Sequence, residues 1–417
     1  MESAPRSWKR RLKDWSIVIG LLVLCLLFGV FVWFNKESTP AQPGAFYTPP
    51  NPLPDGAPGL VIRSEPVTRG VPTGAQAWRV LYRSTDMNDQ PIAVSGLVIA
   101  PTAASDEPRE IIAIAPGTQG IYPDCANSQL ADPFSGHFTD LQTMIDEGFV
   151  VVRTDYPGLG TPGVHPYLVG KSEGQAVLDS VRAARNLIPE AGERYAIMGA
   201  SQGGHSSMFA SQMAPDYAPE LTLVGTVTQA GAFDLAGILE ARMDDRVGGI
   251  LLPFVFYSWS ANYPGIDIDS VVKPEYQAIV ERLAHTCTST PLAYLPVMRT
   301  IPVPDTFLAI DPLTTEPWDS LIEENTPDGP VNTPLLLVHG TADEVIPFEG
   351  SVDEAARRCS EGEDVTFLRY LETPHAAVPQ STLTALGWIV DRFAGAPSTS
   401  NCADRPPPGP ISALVLG

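Results

Sequence analysis

Positive charge is scarce in this chain. Over 417 residues, 26 Lys and Arg stand against 48 Asp and Glu, a formal net charge of −22. A surface that negative repels nucleic acid and anionic lipid headgroups, so neither is an expected partner. Cysteine is sparse too, with five in all and no two in a Cys-x-x-Cys spacing. That excludes the common zinc and dithiol redox sites, and no metal or cofactor is expected. Histidine numbers only six, which keeps the search for a catalytic base short. No internal repeat is found, which excludes a solenoid.

What is present points to one large α/β domain with insertions, or to two ordinary domains. Apolar residues make up 44% of the chain, enough for a sizeable core, and 42 Pro with 35 Gly imply many turns. The N-terminus stands apart. Arg6, Lys9, Arg10, Arg11 and Lys13 form a basic cluster, and Trp15 to Phe34 then runs 20 residues without a charge. At about 1.5 Å per helical residue, that run spans a hydrocarbon core of roughly 30 Å. It ends in Phe31-Val32-Trp33-Phe34, bulky and aromatic, unlike the small-x-small site of a cleaved signal peptide. The expectation is a cytoplasmic basic tail (1–14), a transmembrane signal anchor (15–34) and an extracytoplasmic remainder. Secretion after signal cleavage is the alternative. Setting aside the first 35 residues, with five basic and two acidic, leaves 21 basic and 46 acidic residues, net −25. Cys25 falls in the anchor. Cys125, Cys287, Cys359 and Cys402 then sit in an oxidising exterior and imply two disulfides, with three pairings open.

Residues 35–58 are rich in Pro, Gly and Ala and read as an extended linker. Trp78–Ser84 and Ile92–Ala100 flank the Asn88-Asp89 turn and read as an antiparallel pair. Strand and helix patterns then alternate. Strands are expected at Ile111–Ala115, Phe149–Arg153, Tyr195–Met198 and Leu223–Thr228. Helices are expected around Leu141–Ile145, Val177–Ile188 and Gly203–Met213. This order predicts an α/β fold, a mostly parallel sheet flanked by helices. The alternation breaks over about 231–332, where an apolar run, Leu251 to Trp259, and a helix at Pro274–Ala284 suggest a mainly helical cap. It resumes with strands Leu335–Val338 and Val365–Tyr370 and a helix at Thr382–Phe393. The main α/β domain is thus placed at 59–395, and 396–417 is a Pro-rich tail.

Gly199-Ala200-Ser201-Gln202-Gly203 matches G-x-S-x-G between an apolar strand and a helix. In that context it is a nucleophile elbow, with Ser201 at a helix N-terminus that favours developing negative charge. A serine needs a base, and in the α/β-hydrolase order the acid and then the histidine follow it. His137 and His165 precede it, His205 shares its helix, His285 lies in the cap and His339 ends a strand. His375, in the loop Thr373-Pro374-His375-Ala376, is the expected base. The loop after Leu335–Val338 offers Asp343 as the acid, with Glu344 the alternative. The oxyanion hole should take one backbone N–H from Gln202 and one from the Pro116–Gly120 loop, at Thr118 or, failing that, Gln119.

These stretches, taken with Gly117-Thr118-Gln119-Gly120, Asp124-Cys125-Ala126, Asp155 to Gly160, Val177 to Ala184, Ser201 to His205, His339 to Asp343 and Pro374-His375, resemble the secretory lipase family of α/β-hydrolases. The resemblance runs from about Leu60 to Phe393. It implies a lipase or esterase with a lid inserted before the acid strand. It also implies the disulfides Cys125–Cys287 and Cys359–Cys402.

The expected activity is hydrolysis of carboxylic esters with an apolar acyl group by a Ser-His-Asp triad and an acyl-enzyme. The partner is a small-molecule or lipid ester, and a monomer is expected. An envelope acyltransferase would use the same acyl-enzyme, a serine peptidase the same fold, and a retired hydrolase would serve as a binding module.

Overall fold

The computed structural model describes residues 44–134, 140–288 and 302–403. The segment read as a membrane anchor and His137 lie outside the described residues. Among the described residues no helix is long and apolar enough to cross a membrane.

One mixed sheet organises the domain. Its strands are β1 (Val61–Val67), β2 (Ala75–Thr85), β3 (Pro91–Pro101), β4 (Arg109–Ala115), β5 (Val150–Thr154), β6 (Ala191–Ala200), β7 (Thr222–Gln229), β8 (Leu335–Gly340) and β9 (Val365–Tyr370). Their spatial order is β1-β2-β3-β5-β4-β6-β7-β8-β9. The first four pair antiparallel, and every pair from β5 to β9 is parallel. The connections explain the change. Asp86 to Gln90 closes β2 onto β3 as a tight turn, with Asp86 Oδ1 accepting from the N–H groups of Asn88 and Gln90. Parallel neighbours need a longer crossover, and helices supply it.

Those helices are α1 (Leu141–Asp146), α2 (Gly170–Leu187) and α3 (Gln202–Tyr217). The central strands are apolar on both faces because both faces are covered. Val150 and Val152 join one core with Val177, Val181 and Ile197. Val151 joins the other with Ile112, Met144 and Ile389.

Between β7 and β8 the described chain forms α4 (Leu235–Arg242), α5 (Arg246–Asn262), α6 (Gln277–Ala284), α7 (Pro304–Phe307) and α8 (Trp318–Glu324). Asp234 and Asp245 cap α4 and α5, accepting from Gly237 N and Gly248 N at 2.8 and 2.9 Å. The apolar run 251–259 is the body of α5. It helps build a separate core with Phe307 and Trp318. After β8 come α9 (Phe348–Ser360) and, beyond β9, α10 (Thr382–Phe393).

Cys125 bonds Cys287, tying the loop after β4 to the insertion, and Cys359 bonds Cys402, pinning the tail to α9. The described part of the presumed linker is not a free spacer. Tyr47 is buried and its hydroxyl meets Ser128 Oγ at 3.0 Å. Arg63 holds the Phe46 carbonyl at 2.7 Å and Arg83 holds that of Pro54 at 2.8 Å. Composition alone did not show this, because the anchoring arginines sit on the strands it packs against.

Candidate active site

The turn from β6 into α3 forces Ser201 into a strained backbone, φ 58° and ψ −120°, a region that side chains rarely adopt. The residues two before and two after it, Gly199 and Gly203, must be glycine. A Cβ on Gly199 would fall on the Gly203 carbonyl, and one on Gly203 would fall on the Ala115 carbonyl at the end of β4. Strand and helix therefore meet closely, and Ser201 stands at the C-terminal edge of the sheet. Among the described residues its hydroxyl has no hydrogen-bond partner, and it lines a cavity of about 710 Å³ that His375 also lines.

His375 Nδ1 donates to Asp343 Oδ2 at 2.7 Å. Asp343 Oδ1 accepts from Val345 N and Ile346 N, both at 2.8 Å. A third contact was not foreseen: His339 Nε2 donates to Asp343 Oδ2 at 3.0 Å, and Ser351 Oγ lies 2.6 Å from His339 Nδ1. Burial raises the Asp343 pKa, but the hydrogen bonds from His339 and His375, the charge of His375 and the Ile346 N–H outweigh it. The carboxyl is held well below the usual carboxylate range. Glu344 reaches the backbone of the histidine loop instead, its Oε2 accepting from the His375 backbone N–H at 3.1 Å.

Thr118, Gln119 and Gln202 all line the cavity. Gly117 packs against the elbow, where an added Cβ would lie 3.2 Å from the Ala200 carbonyl and 3.9 Å from Ser201 Cβ. Thr118 Oγ1 pairs with Tyr167 OH at 2.8 Å, and Gln119 Oε1 accepts from Asn127 N at 2.9 Å. Both candidate loop residues thus line the same cavity as Ser201.

The other histidines among the described residues sit elsewhere. His285 stacks on Tyr122, ring centroids 3.7 Å apart. His165 and His205 are fully buried around Glu173, beneath the elbow. The sequence signal for that cluster was a lone acid, Glu173, in the first turn of an otherwise small and apolar helix face.

The insertion supplies the apolar wall of the cavity through Leu235, Leu239, Leu251, Leu252, Val255 and Trp259. The last four fall at helical spacing on one face of α5. Phe254 and Phe256 turn away. Phe254 packs edge-on to Tyr167 at 5.8 Å and Phe256 to Trp318 at 5.4 Å.

A parallel sheet with one early antiparallel section, a strained serine after a central strand and a histidine loop after the last strand define an α/β-hydrolase fold. The secretory lipase family model matches residues 137–401, and the chain belongs to that family. It is 26% identical to Lipase 6 of Candida albicans (strain SC5314 / ATCC MYA-2876) over 416 residues, covering 92% of this chain and 88% of the relative. It is 27% identical to a probable inactive lipase of Mycobacterium tuberculosis (strain CDC 1551 / Oshkosh), covering 85% and 83%. The structure of Candida antarctica lipase A in its closed state superposes with a TM-score of 0.75 at 20% identity, covering 90% of this chain and 91% of that one. The rice cell wall degrading esterase LipA from Xanthomonas oryzae gives 0.65 at 20% identity, covering 81% and 98%.

Proposed function

We propose that this chain hydrolyses carboxylic esters with an apolar acyl group, with Ser201 as nucleophile, His375 as base and Asp343 as acid. The observation that carries this is the 2.7 Å bond between His375 Nδ1 and Asp343 in a ring that shares its cavity with Ser201. With Nδ1–H held by the carboxylate, Nε2 is the ring's free acceptor. Ser201 Oγ attacks the acyl carbonyl while His375 Nε2 takes its proton. The carbonyl oxygen becomes an oxyanion, held by the N–H groups of Gln202 and of Thr118 or Gln119. Collapse breaks the ester C–O bond, and His375 returns the proton to the departing alcohol. Water repeats the sequence on the acyl-enzyme and releases the acid.

The wall of Leu235, Leu239, Leu251, Leu252 and Val255 suits an acyl chain, since burial contributes about 0.8 kcal/mol per methylene. We place the domain outside the cell, on the strength of its two disulfides and its family. The basic cluster and uncharged run before residue 35 further support a membrane tether.

One relative carries the name of a probable inactive lipase, which makes the retired-module reading concrete. The intact Asp343–His375 pair speaks against it here. Turnover of p-nitrophenyl esters of rising chain length, with and without an acceptor alcohol, tests the proposal. Free acid from medium-to-long esters is expected. Acyl transfer to the alcohol in preference to water would mark an acyltransferase, and no turnover a retired fold.

A further inference from the structure

Beneath the elbow lies a polar cluster with Glu173 at its centre. Glu173 is fully buried in the first turn of α2. Its Oε1 accepts from Gln202 Nε2 at 2.7 Å and from Leu168 N at 2.8 Å. Its Oε2 accepts from Ser206 Oγ at 2.6 Å and His205 Nδ1 at 3.1 Å. Gln202 Nε2 also lies 2.8 Å from His165 Nε2, while His165 Nδ1 lies 3.0 Å from the Pro157 carbonyl. A carbonyl only accepts, so Nδ1 carries the His165 proton and Nε2 receives from the amide. Both amide hydrogens of Gln202 are therefore used, one on Glu173 and one on His165, and its side chain has one orientation.

The cluster also reaches the opposite wall of the oxyanion hole. Tyr156 OH lies 2.8 Å from Ser206 Oγ and 3.0 Å from the carbonyl of Pro116, where the Thr118 loop begins. Glu173 thus holds Gln202 directly, while the single Tyr156 proton is shared between Ser206 Oγ and the Pro116 carbonyl, which sets that loop beside the cluster without tying it to Glu173. The insertion fastens to the same group: His205 Nε2 donates to the Asn325 carbonyl at 2.8 Å, and Ser258 Oγ donates to that of His165 at 2.7 Å. A buried carboxylate costs free energy that such a network must offset. An apolar residue would serve packing alone.

We propose that Glu173 is the positioning residue of the oxyanion hole, fixing through the Gln202 carboxamide the backbone segment whose N–H receives the oxyanion. This rests on the hydrolase reading above. Glu173 acts through other groups and touches no substrate.

The test uses the purified wild type, Glu173→Gln and Gln202→Ala, the last keeping the backbone N–H while removing the clamped amide. Three quantities are read: kcat and KM for a short p-nitrophenyl ester, the inhibition constant of an alkyl boronic acid that forms a tetrahedral adduct on serine, and thermal unfolding. Each variant is expected to lose about 10- to 100-fold in kcat, below the roughly 10²–10³ for a deleted hole donor. KM should stay within about twofold, and boronate affinity should fall in parallel with kcat. The Glu173→Gln/Gln202→Ala double variant should lose little more than either single one, since both break one link. If Glu173→Gln does not fold, Gln202→Ala decides alone. Unchanged kcat in a folded variant overturns the proposal, as does a loss of kcat without loss of boronate affinity. A wild type that neither turns over esters nor reacts with a fluorophosphonate overturns the hydrolase reading and this one with it.

Discussion

His339 and His375 share one oxygen of Asp343. His375 Nδ1 donates to Oδ2 at 2.7 Å and His339 Nε2 donates to the same atom at 3.0 Å, from a ring with no exposed surface. With two backbone N–H groups on Oδ1, the carboxylate has four donors and one orientation. Neutralising it should remove most of the catalysis. Asp343→Asn is expected to lower kcat on the pattern of roughly 10⁴-fold for a neutralised triad acid. His339→Ala should cost about tenfold, since three donors remain. Glu344→Gln should stay within about threefold. Steady-state kinetics of the three variants check this ranking, and Glu344→Gln as the most damaging would move the acid by one residue.

Acid stability should carry the signature of Glu173. Burial raises its pKa, but the imidazoles packed around it outweigh that, His205 donating to it directly, and the net value is about 2 against the ordinary 4.5. Tyr156 is the other titratable group against it. The folded pKa lies below the unfolded one, so between pH 4.5 and about 2 the unfolded chain binds more protons. The contribution is therefore present above about pH 4.5 and lost as pH falls through that window. Urea unfolding of the wild type and Glu173→Gln at stepped pH should show the difference shrinking toward acid. A constant difference would contradict the assignment.

The acyl wall has a defined face. Leu252→Trp and Val255→Trp should each shorten the preferred acyl chain by several carbons while short-ester turnover survives. Phe254→Ala and Phe256→Ala, facing the core of the insertion, should instead lower stability by about 3–5 kcal/mol and leave the chain-length preference unchanged. Chain-length profiles and melting curves of the four variants separate the two faces.

The disulfides should differ in weight. Cys125–Cys287 closes a separation of 162 residues and Cys359–Cys402 one of 43. Loop entropy grows with the logarithm of length, so removing the first should cost more, each within about 2–5 kcal/mol. Denaturation of the paired Cys→Ser variants measures both.

The sheet was legible where period and punctuation agreed. β2 and β3 read as a pair because the Asn88-Asp89 turn interrupts them, and α10 begins and ends where its apolar spacing does. Helix α5 was not legible, because a run such as Leu252 to Phe256 is apolar on every face. Its two sides pack against different things, the cavity and the insertion's own core, so no period of 3.6 survives. The sequence therefore does not separate wall residues such as Leu252 and Trp259 from core residues such as Phe254 and Phe256. Chain order and loop position suffice to nominate Ser201, Asp343 and His375, and the structure sets His375 on Asp343 and lines one cavity with His375 and Ser201. The partners His339, Glu173 and Tyr156 were not, since each acts through a contact 4 to 40 residues distant in sequence that only the fold creates.

The central claim is that one serine carries the chemistry. Ser201→Ala should fold, with the wild-type far-UV spectrum and melting temperature, because its side chain lines a cavity and has no hydrogen-bond partner among the described residues. Treated with a fluorophosphonate probe and digested, the wild type should yield one labelled peptide, containing Ser201. The variant should yield none and should lose nearly all ester turnover. Label on another serine, or turnover retained in Ser201→Ala, would contradict the account.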